Sequence, residues 1–541
     1  MGVWDKFLIN VDIWLIIIFP PSLFQIREID MTYSRHIGLL LLLLLTVVFT
    51  GCATVSFDEP KPYSNTITDT ADTRLGKKVS RWVEAHDGLS GFYPLSEGMD
   101  SLGARLRLAE QADKTIDLQY FLMKDDTAGI VMANALLKAA DRGVRVRFLL
   151  DDIFTTAPDR GFLLIDQHPN IEVRLFNPIS RSGYSGLNFL GDFKQANRRM
   201  HNKSFTVDNQ ISITGGRNIA DEYFDLKMDS VFIDYDVLAV GPIAAEISKS
   251  FNEYWNHSRA VPIDRVATNK DNEDLETVRA NIEKEFNGIY DTVYKQALES
   301  ELLQELISDR RQLYPANARV LSDSPDKLIN EISEEQMQLA TDLREVLLSA
   351  EKEIIVITPY YVPGDSGVEF FRNLVDKGVR VVVLTNSLAS NNHVPVHGGY
   401  ARYRKDVIRA GVELYEARAP AARELKRTDE GPDVLTLHTK AFLIDQRYLF
   451  VGSLNLDPRS IEINAEMGLL IDSAKMIAEN HADNDEIIAA LTYRVLLNED
   501  GDLEWHGRID GEEVIETKEP DTSFWLRFKA WFMKIAPESQ L

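Results

Sequence analysis

One pattern of polar residues occurs twice in this chain. His201-Asn202-Lys203 is followed by Asp208 and then by Gly215-Gly216-Arg217-Asn218. His438-Thr439-Lys440 is followed by Asp445 and then by Gly452-Ser453-Leu454-Asn455. The flanking elements repeat as well: Arg142-Gly143-Val144-Arg145-Val146-Arg147-Phe148-Leu149 matches Lys377-Gly378-Val379-Arg380-Val381-Val382-Val383-Leu384. The glycines lie 235 residues apart (378 minus 143) and the histidines 237 (438 minus 201). Nearly one offset carrying both similarities marks an internal repeat. A chain of 541 residues also exceeds one ordinary core, so two like halves are the expectation.

Within each half, helix and strand patterns alternate. Leu102 to Ala112 reads as a helix, Thr115 to Phe121 as a strand, Gly129 to Ala140 as a helix, and Val144 to Leu150 as an apolar strand. Gly143 suits the left-handed residue that closes a helix. The order returns with a helix over Thr341 to Ala350, a strand over Glu353 to Thr358 and a helix over Gly367 to Asp376. Strand, helix and strand at this spacing predict βαβ units. The expected fold class is α/β: two similar mixed-sheet α/β/α halves packed around one shared active site. The expected boundaries are 86–258 for the first half and 316–515 for the second. A charged helical connector is expected over 259–315 and a polar tether over 53–85.

The repeated motif carries chemistry. Among ten histidines only His201 and His438 have Lys two residues on and Asp seven on. Chance would supply that flank in about 0.3% of cases. Apolar neighbours predict strands, on which residues two apart share a face, so each half presents an imidazole beside an ammonium. Lys203, Lys440, Asn218 and Asn455 can bind the anionic oxygens of a phosphodiester. One neutral histidine attacks phosphorus to give a phospho-histidine, while the other protonates the departing alkoxide. The lysines supply the positive charge, so no metal or other cofactor is expected. Zinc would call for His or Cys where lysine stands.

The two ends read differently. The single cysteine, Cys52, excludes an intramolecular disulfide. Residues Met31 to Cys52 have a short polar start, an apolar run from Leu39 to Val48 and Phe49-Thr50-Gly51-Cys52, which is signal-peptide architecture. That ending resembles a bacterial lipobox, with Phe49 in place of the usual leucine, and implies lipidation of Cys52. About ten apolar residues are too few to span roughly 30 Å of hydrocarbon. The segment 1–52 is therefore expected to be a signal and lipobox region, with Met31 a better start than Met1. A lipoprotein on the periplasmic face of the cell envelope follows, with the outer membrane as one destination. At the other end, residues 516–541 contain a helical pattern in which Phe524, Phe528, Trp531, Phe532 and Ile535 share a face. It reads equally as an interfacial membrane helix or as a terminal helix docked on the core. The formal net charge of -25 argues against non-specific nucleic-acid binding, which needs a basic face.

The duplicated motif resembles the phospholipase D superfamily over about 90–515. Leu384-Thr385-Asn386-Ser387, His397-Gly398-Gly399-Tyr400, Asp457-Pro458-Arg459-Ser460 and Thr522-Ser523-Phe524-Trp525 make the set similar to bacterial cardiolipin synthases of the C type. The resemblance implies a phosphatidyltransferase that acts on phospholipids at a membrane surface, as a monomer whose halves form one site. A phosphatidyl group would move from phosphatidylethanolamine to phosphatidylglycerol. It further implies His201 as nucleophile and His438 as acid and base, in roles that can exchange. Glu466 is implied as the carboxylate orienting a motif histidine, with Asp236 its counterpart in the first half. Asp208 and Asp445 complete the motif and are expected to fix strand and turn geometry. The alternatives are a hydrolytic phospholipase D, a nuclease of the same superfamily and a non-catalytic lipid-binding lipoprotein.

Overall fold

The structure, a computed structural model, describes residues 55–153, 159–181, 197–227, 230–267, 274–300, 312–422, 434–480, 484–509, 511–535 and 537. Cys52 and the expected signal segment lie outside the described residues.

The first half contains β1 (Ser90–Leu95), β2 (Thr115–Tyr120), β3 (Arg145–Asp151), β4 (Ile171–Phe176), β5 (Ser204–Val207), β6 (Ile211–Gly215), β7 (Ser230–Ile233), β8 (Asp236–Val240) and β9 (Ala260–Pro262). The second contains β10 (Tyr314–Ser322), β11 (Glu353–Ile357), β12 (Arg380–Asn386), β13 (Glu413–Ala417), β14 (Val434–Leu437), β15 (Ala441–Ile444), β16 (Tyr448–Gly452), β17 (Met467–Asp472), β18 (Thr492–Leu497), β19 (Leu503–Ile509) and β20 (Glu512–Glu516). The helices used below are α1 (Arg74–Ala85), α2 (Gly98–Gln111), α3 (Thr127–Asp141), α4 (Pro242–Asn256), α5 (Leu275–Ile289), α6 (Gln338–Leu348), α7 (Gly364–Asp376), α8 (Val394–Arg409) and α9 (Phe524–Met533).

Followed ladder by ladder, the first half runs β9-β4-β3-β2-β5-β6-β8-β1. The second runs β18-β13-β12-β11-β15-β16-β17-β10, with β19 and β20 added beyond β18. The two orders are the same. Each has three parallel strands followed by antiparallel ones, as the predicted βαβ units require. Strand β1 pairs antiparallel with β10, Ser90 opposite Ala316, which joins the halves into one 18-stranded sheet. Gly143 and Gly378, which close α3 and α7, share a φ of 92°. The repeat is thus kept at the level of single dihedral angles.

Apolar side chains fill a core in each half and a third between them. That third cluster brings Val237 and Ala239 of β8 together with Leu449 and Val451 of β16 and Leu469 of β17. Burial of both sheet faces leaves no water for polar groups there, so each must find a protein partner.

Two expected segments, the tether and the connector, differ from the structure. The tether ends earlier than residue 85, because residues 62–66 and α1 pack on the first half. Arg147 and Arg174 on β3 and β4 are buried, and buried guanidinium groups need acceptors. The carbonyls of Ser64 (2.7 Å) and Pro62 (2.6 Å) accept from them, and Asp117 receives Arg147 at 2.7 Å. The connector is not wholly solvated: β9 completes the first sheet, and α5 buries Phe286 beneath the Lys138 ammonium. The terminal helix α9 does dock against Gly398, with Ala530 its one buried residue, leaving its large aromatic residues exposed. Among the described residues no helix is long and apolar enough to cross a membrane.

Candidate active site

His201 lies three residues before β5 and His438 three before β15. The motif thus precedes the strands instead of lying within them. The reason is the backbone's choice of partner. At these points it leaves the main sheet and bonds to the opposite half. The His201 N–H donates to the Ala465 carbonyl at 2.8 Å, and Met200 bridges Ala465 in parallel. The His438 N–H donates to the Ile233 carbonyl at 2.7 Å, at the end of a parallel pair formed by β7 and β14. Each histidine is therefore held by the half that does not contain it.

The side chains cross over in the same way. His201 Nδ1 lies 2.8 Å from Glu466 Oε2 and 3.1 Å from the Ser453 carbonyl, both in the second half. A carbonyl can only accept, so Nδ1 carries the proton and Nε2 keeps its lone pair. His438 Nδ1 lies 2.6 Å from Asp234 Oδ2 in the first half. Phe121 meets the His201 ring edge to face at 4.8 Å, and Phe232 stacks on His438 at 5.4 Å. These rings fix the imidazoles and keep bulk water off their faces.

The expected counterpart of Glu466 needs correcting. Asp236 does not reach His438: its carboxylate accepts from Arg105 at 2.8 Å and from Ser101 at 2.7 Å, all three side chains buried. Asp234 is the carboxylate that faces His438 Nδ1 instead. Strand register explains why. Gly215 pairs with Asp236 on β6–β8, and Gly452 pairs with Gly468 on β16–β17. The residue two before each partner is Asp234 in one half and Glu466 in the other, 232 apart (466 minus 234). Fewer residues separate motif and carboxylate in the second half, so the histidine offset does not locate the residue. Aligning the residues paired with Gly215 and Gly452 does. Gly216 belongs to the same arrangement, since a Cβ there would stand 2.0 Å from Asp234 Oδ1.

The structure places the other motif residues as follows. Lys203 and Lys440 are buried beside their histidines, and each ammonium donates to the carbonyl of the histidine two residues before. Asn218 Nδ2 donates to the Tyr223 hydroxyl at 3.0 Å and Asn455 Nδ2 to Ser460 at 3.3 Å. The other amide end of each is buried without a protein partner. Asp208 and Asp445 stand away from the imidazoles. Asp208 accepts from the N–H groups of Asp113, Lys114 and Thr115 at the start of β2 (3.0, 2.8 and 2.9 Å). Asp445 does the same for Glu351, Lys352 and Glu353 at β11 (2.9, 2.8 and 3.0 Å). Both tie the motif strand to its neighbour. Ser453, whose hydroxyl and carbonyl serve Glu466 and His201, was not expected from sequence.

Charge is concentrated here. Burial, with the Lys203 and Lys440 ammoniums, holds His201 well below its ordinary range. Burial and the same two lysines bring His438 down to about 3. Both rings feel both cations, as members of one cavity, and an anion bound between the lysines would offset that repulsion and favour a proton on the ring facing Asp234. Burial lowers Lys203 to about 7 and Lys440 to about 8. Burial pushes Glu466 up to about 7 against the pull of Lys203, whereas for Asp234 the nearby His438 and Lys440 outweigh burial and hold it low. Uncompensated cations out of water favour a bound anion. Among the described residues no cluster of His, Cys, Asp and Glu is arranged to hold a metal ion.

A pH dependence follows. The ammonium forms of Lys203 and Lys440 are present below about 7 and 8 and are lost as pH rises through those values. Affinity for sulfate, whose charge is constant over this range, is expected to fall about tenfold per pH unit above pH ~8 for each proton lost. Calorimetric titration between pH 6 and 9.5 measures it; an affinity unchanged to pH 9.5 would show that the lysines do not hold the anion.

Known proteins resemble this chain in sequence and in fold. The family described as cardiolipin synthase, phospholipase D-like domain, matches residues 106–255 and again 343–487. The chain is 37% identical to cardiolipin synthase C of Escherichia coli over 470 residues, covering 86% of this chain and 98% of that protein. It is 31% identical over 518 residues to an uncharacterized protein of Helicobacter pylori, covering 93% and 99%. The crystal structure of phosphatidylserine synthase from Haemophilus influenzae superposes with a TM-score of 0.51 at 16% identity, covering 77% of this chain and 92% of that one, a likeness of fold.

Proposed function

The chain belongs to the cardiolipin synthase, phospholipase D-like family, carrying its domain in two copies, and from that premise we propose that it transfers a phosphatidyl group onto phosphatidylglycerol to make cardiolipin. The observation that carries the reading is the reciprocal crossing of His201 onto Glu466 and His438 onto Asp234. It supports one two-sided site per chain. In the first step His201 Nε2 attacks the phosphorus of the donor. A P–N bond forms and the P–O bond to the donor headgroup breaks, with His438 giving the departing oxygen its proton. In the second, His438 takes a proton from the glycerol hydroxyl of phosphatidylglycerol. That oxygen forms the new P–O bond and the P–N bond breaks. Lys203, Lys440, Asn218 and Asn455 stabilise the phosphorane charge in both steps, and no proton needs to come from outside the site.

Phosphatidylethanolamine is the proposed donor. Purified protein given phosphatidylethanolamine and phosphatidylglycerol is expected to release ethanolamine and cardiolipin in equal amounts. Phosphatidic acid as the sole lipid product would establish the hydrolytic reading in place of transfer. The partners of this reading are phospholipids at a bilayer surface, with no nucleic acid. For attachment we infer lipidation at Cys52, supported by the Met31–Cys52 pattern, and a place on the periplasmic side of the envelope. Labelled palmitate incorporated equally by the wild type and Cys52→Ser would refute that attachment.

A further inference from the structure

The aromatic face of α9 takes no part in the chemistry above. Six of the thirteen exposed large apolar side chains among the described residues fall within residues 524–535. Phe524 is 65% exposed, Trp525 73%, Trp531 64% and Ile535 74%. An apolar patch of that density marks an interaction surface. The helix is nevertheless firmly placed. Ser523 caps it by accepting from the Leu526 N–H at 3.2 Å. Glu519, just before it, is clamped by Arg404 of α8 at 2.8 Å. Its small side, Ala530, meets Gly398 of α8 so closely that a Cβ on Gly398 would lie 3.0 Å from the Met533 carbonyl carbon and 3.1 Å from the Ala530 oxygen. The aromatic side is therefore turned outward by construction.

We propose that this face is where the protein rests on an anionic phospholipid bilayer, presenting the mouth of the catalytic cavity to its lipid substrates. The proposal rests on the reading of phospholipid substrates given above. Charge selects the occupant. Arg527, Lys529 and Lys534 flank the aromatic stripe, and no acidic residue occurs from Ser523 to Ile535, although the whole chain carries a net charge of -25. Aromatic rings bordered by cations suit the headgroup and acyl boundary, where the rings enter the hydrocarbon edge and the cations meet phosphate. A second copy of α9 laid face to face would instead oppose cation to cation. Position agrees with this choice. The Lys534 end of α9 lies over Gly398 in the early turns of α8. The residue that precedes α8, His393, meets the Tyr360 ring edge to face at 5.3 Å, and the residue after that tyrosine, Tyr361, bridges Leu456 beside the site residue Asn455. Helix α8 thus leads from the bilayer face to the rim of the site.

The test uses the full chain, so that anchoring elsewhere stays constant. Vesicles of phosphatidylglycerol and phosphatidylethanolamine with brominated acyl chains are expected to quench tryptophan fluorescence, and the Trp525→Phe, Trp531→Phe variant to lose that component. The triple variant Trp525→Ala, Phe528→Ala, Trp531→Ala is expected to lose about tenfold or more of its rate on vesicles. Its rate on soluble short-chain donor and acceptor should match the wild type, which also shows that it folds. Equal quenching in wild type and the Phe variant, or an unchanged vesicle rate in the triple variant, overturns the proposal. So does a fall in molar mass on light scattering in the triple variant without quenching in the wild type, which would assign the face to a second copy. Quenching without any transfer by the wild type, even on soluble lipids, would leave the bilayer contact standing and remove the catalytic reading.

Discussion

His201→Ala and His438→Ala are each expected to abolish transfer, by about 10⁴-fold or more, and to fail in different ways. The difference comes from the carboxylate facing each ring. Asp234 is held low opposite His438 and suits that ring to carry the extra proton, whereas burial pushes Glu466, opposite His201, up to about 7. His201 Nδ1 faces two acceptors, Glu466 Oε2 and the Ser453 carbonyl, so Nε2 is the free lone pair and His201 is the expected nucleophile. A phosphodiester donor with a p-nitrophenolate leaving group needs no proton to depart. With it, His438→Ala should release one equivalent of nitrophenolate and then stall, with the phosphoryl group on residue 201. His201→Ala should release none. Mass spectrometry of the quenched enzymes locates the group. A phosphoryl group on His438 would reverse the assignment, and full turnover by either variant would refute the two-histidine mechanism. Neither ring is part of an apolar core cluster, so thermal unfolding should move little.

The second large effect separates two aspartates that sit two residues apart. Asp234→Asn removes the charge facing His438 Nδ1 and favours the wrong tautomer, and kcat is expected to fall by about 10² to 10⁴-fold with the fold intact. Asp236→Ala should do the reverse. It leaves Arg105, 1% exposed, as a buried cation without its carboxylate, which costs about 3–5 kcal/mol. Folded yield and the unfolding midpoint should drop, while kcat per folded molecule changes far less. Unfolding curves and active-site titration of both variants distinguish the cases. A stable but inactive Asp236→Ala beside an active Asp234→Asn would return the orienting role to Asp236.

These contrasts show how far the amino-acid order alone reaches. Local signals were enough for the βαβ units, because apolar periodicity and closing glycines such as Gly143 and Gly378 act within a few residues. The repeat was legible for the same reason: His201, Lys203 and Asn218 recur together at one offset. Even the structural part of Asp208 and Asp445 followed from the motif. Other features depend on contacts between distant segments. Whether residues 62–66 hang free was settled by Arg147 and Arg174, buried cations whose acceptors lie more than eighty positions away in the chain.

The doubled motif by itself determined that there are two like halves and a pair of imidazoles, each with a lysine and an asparagine at the same offset. Only the tertiary structure decided which carboxylate serves which histidine. The partners lie 265 and 204 positions away, in the opposite half, and strand register sets them. A slip in spacing between motif and carboxylate is invisible to residue counting, but in a sheet it fixes which side chain enters the cavity.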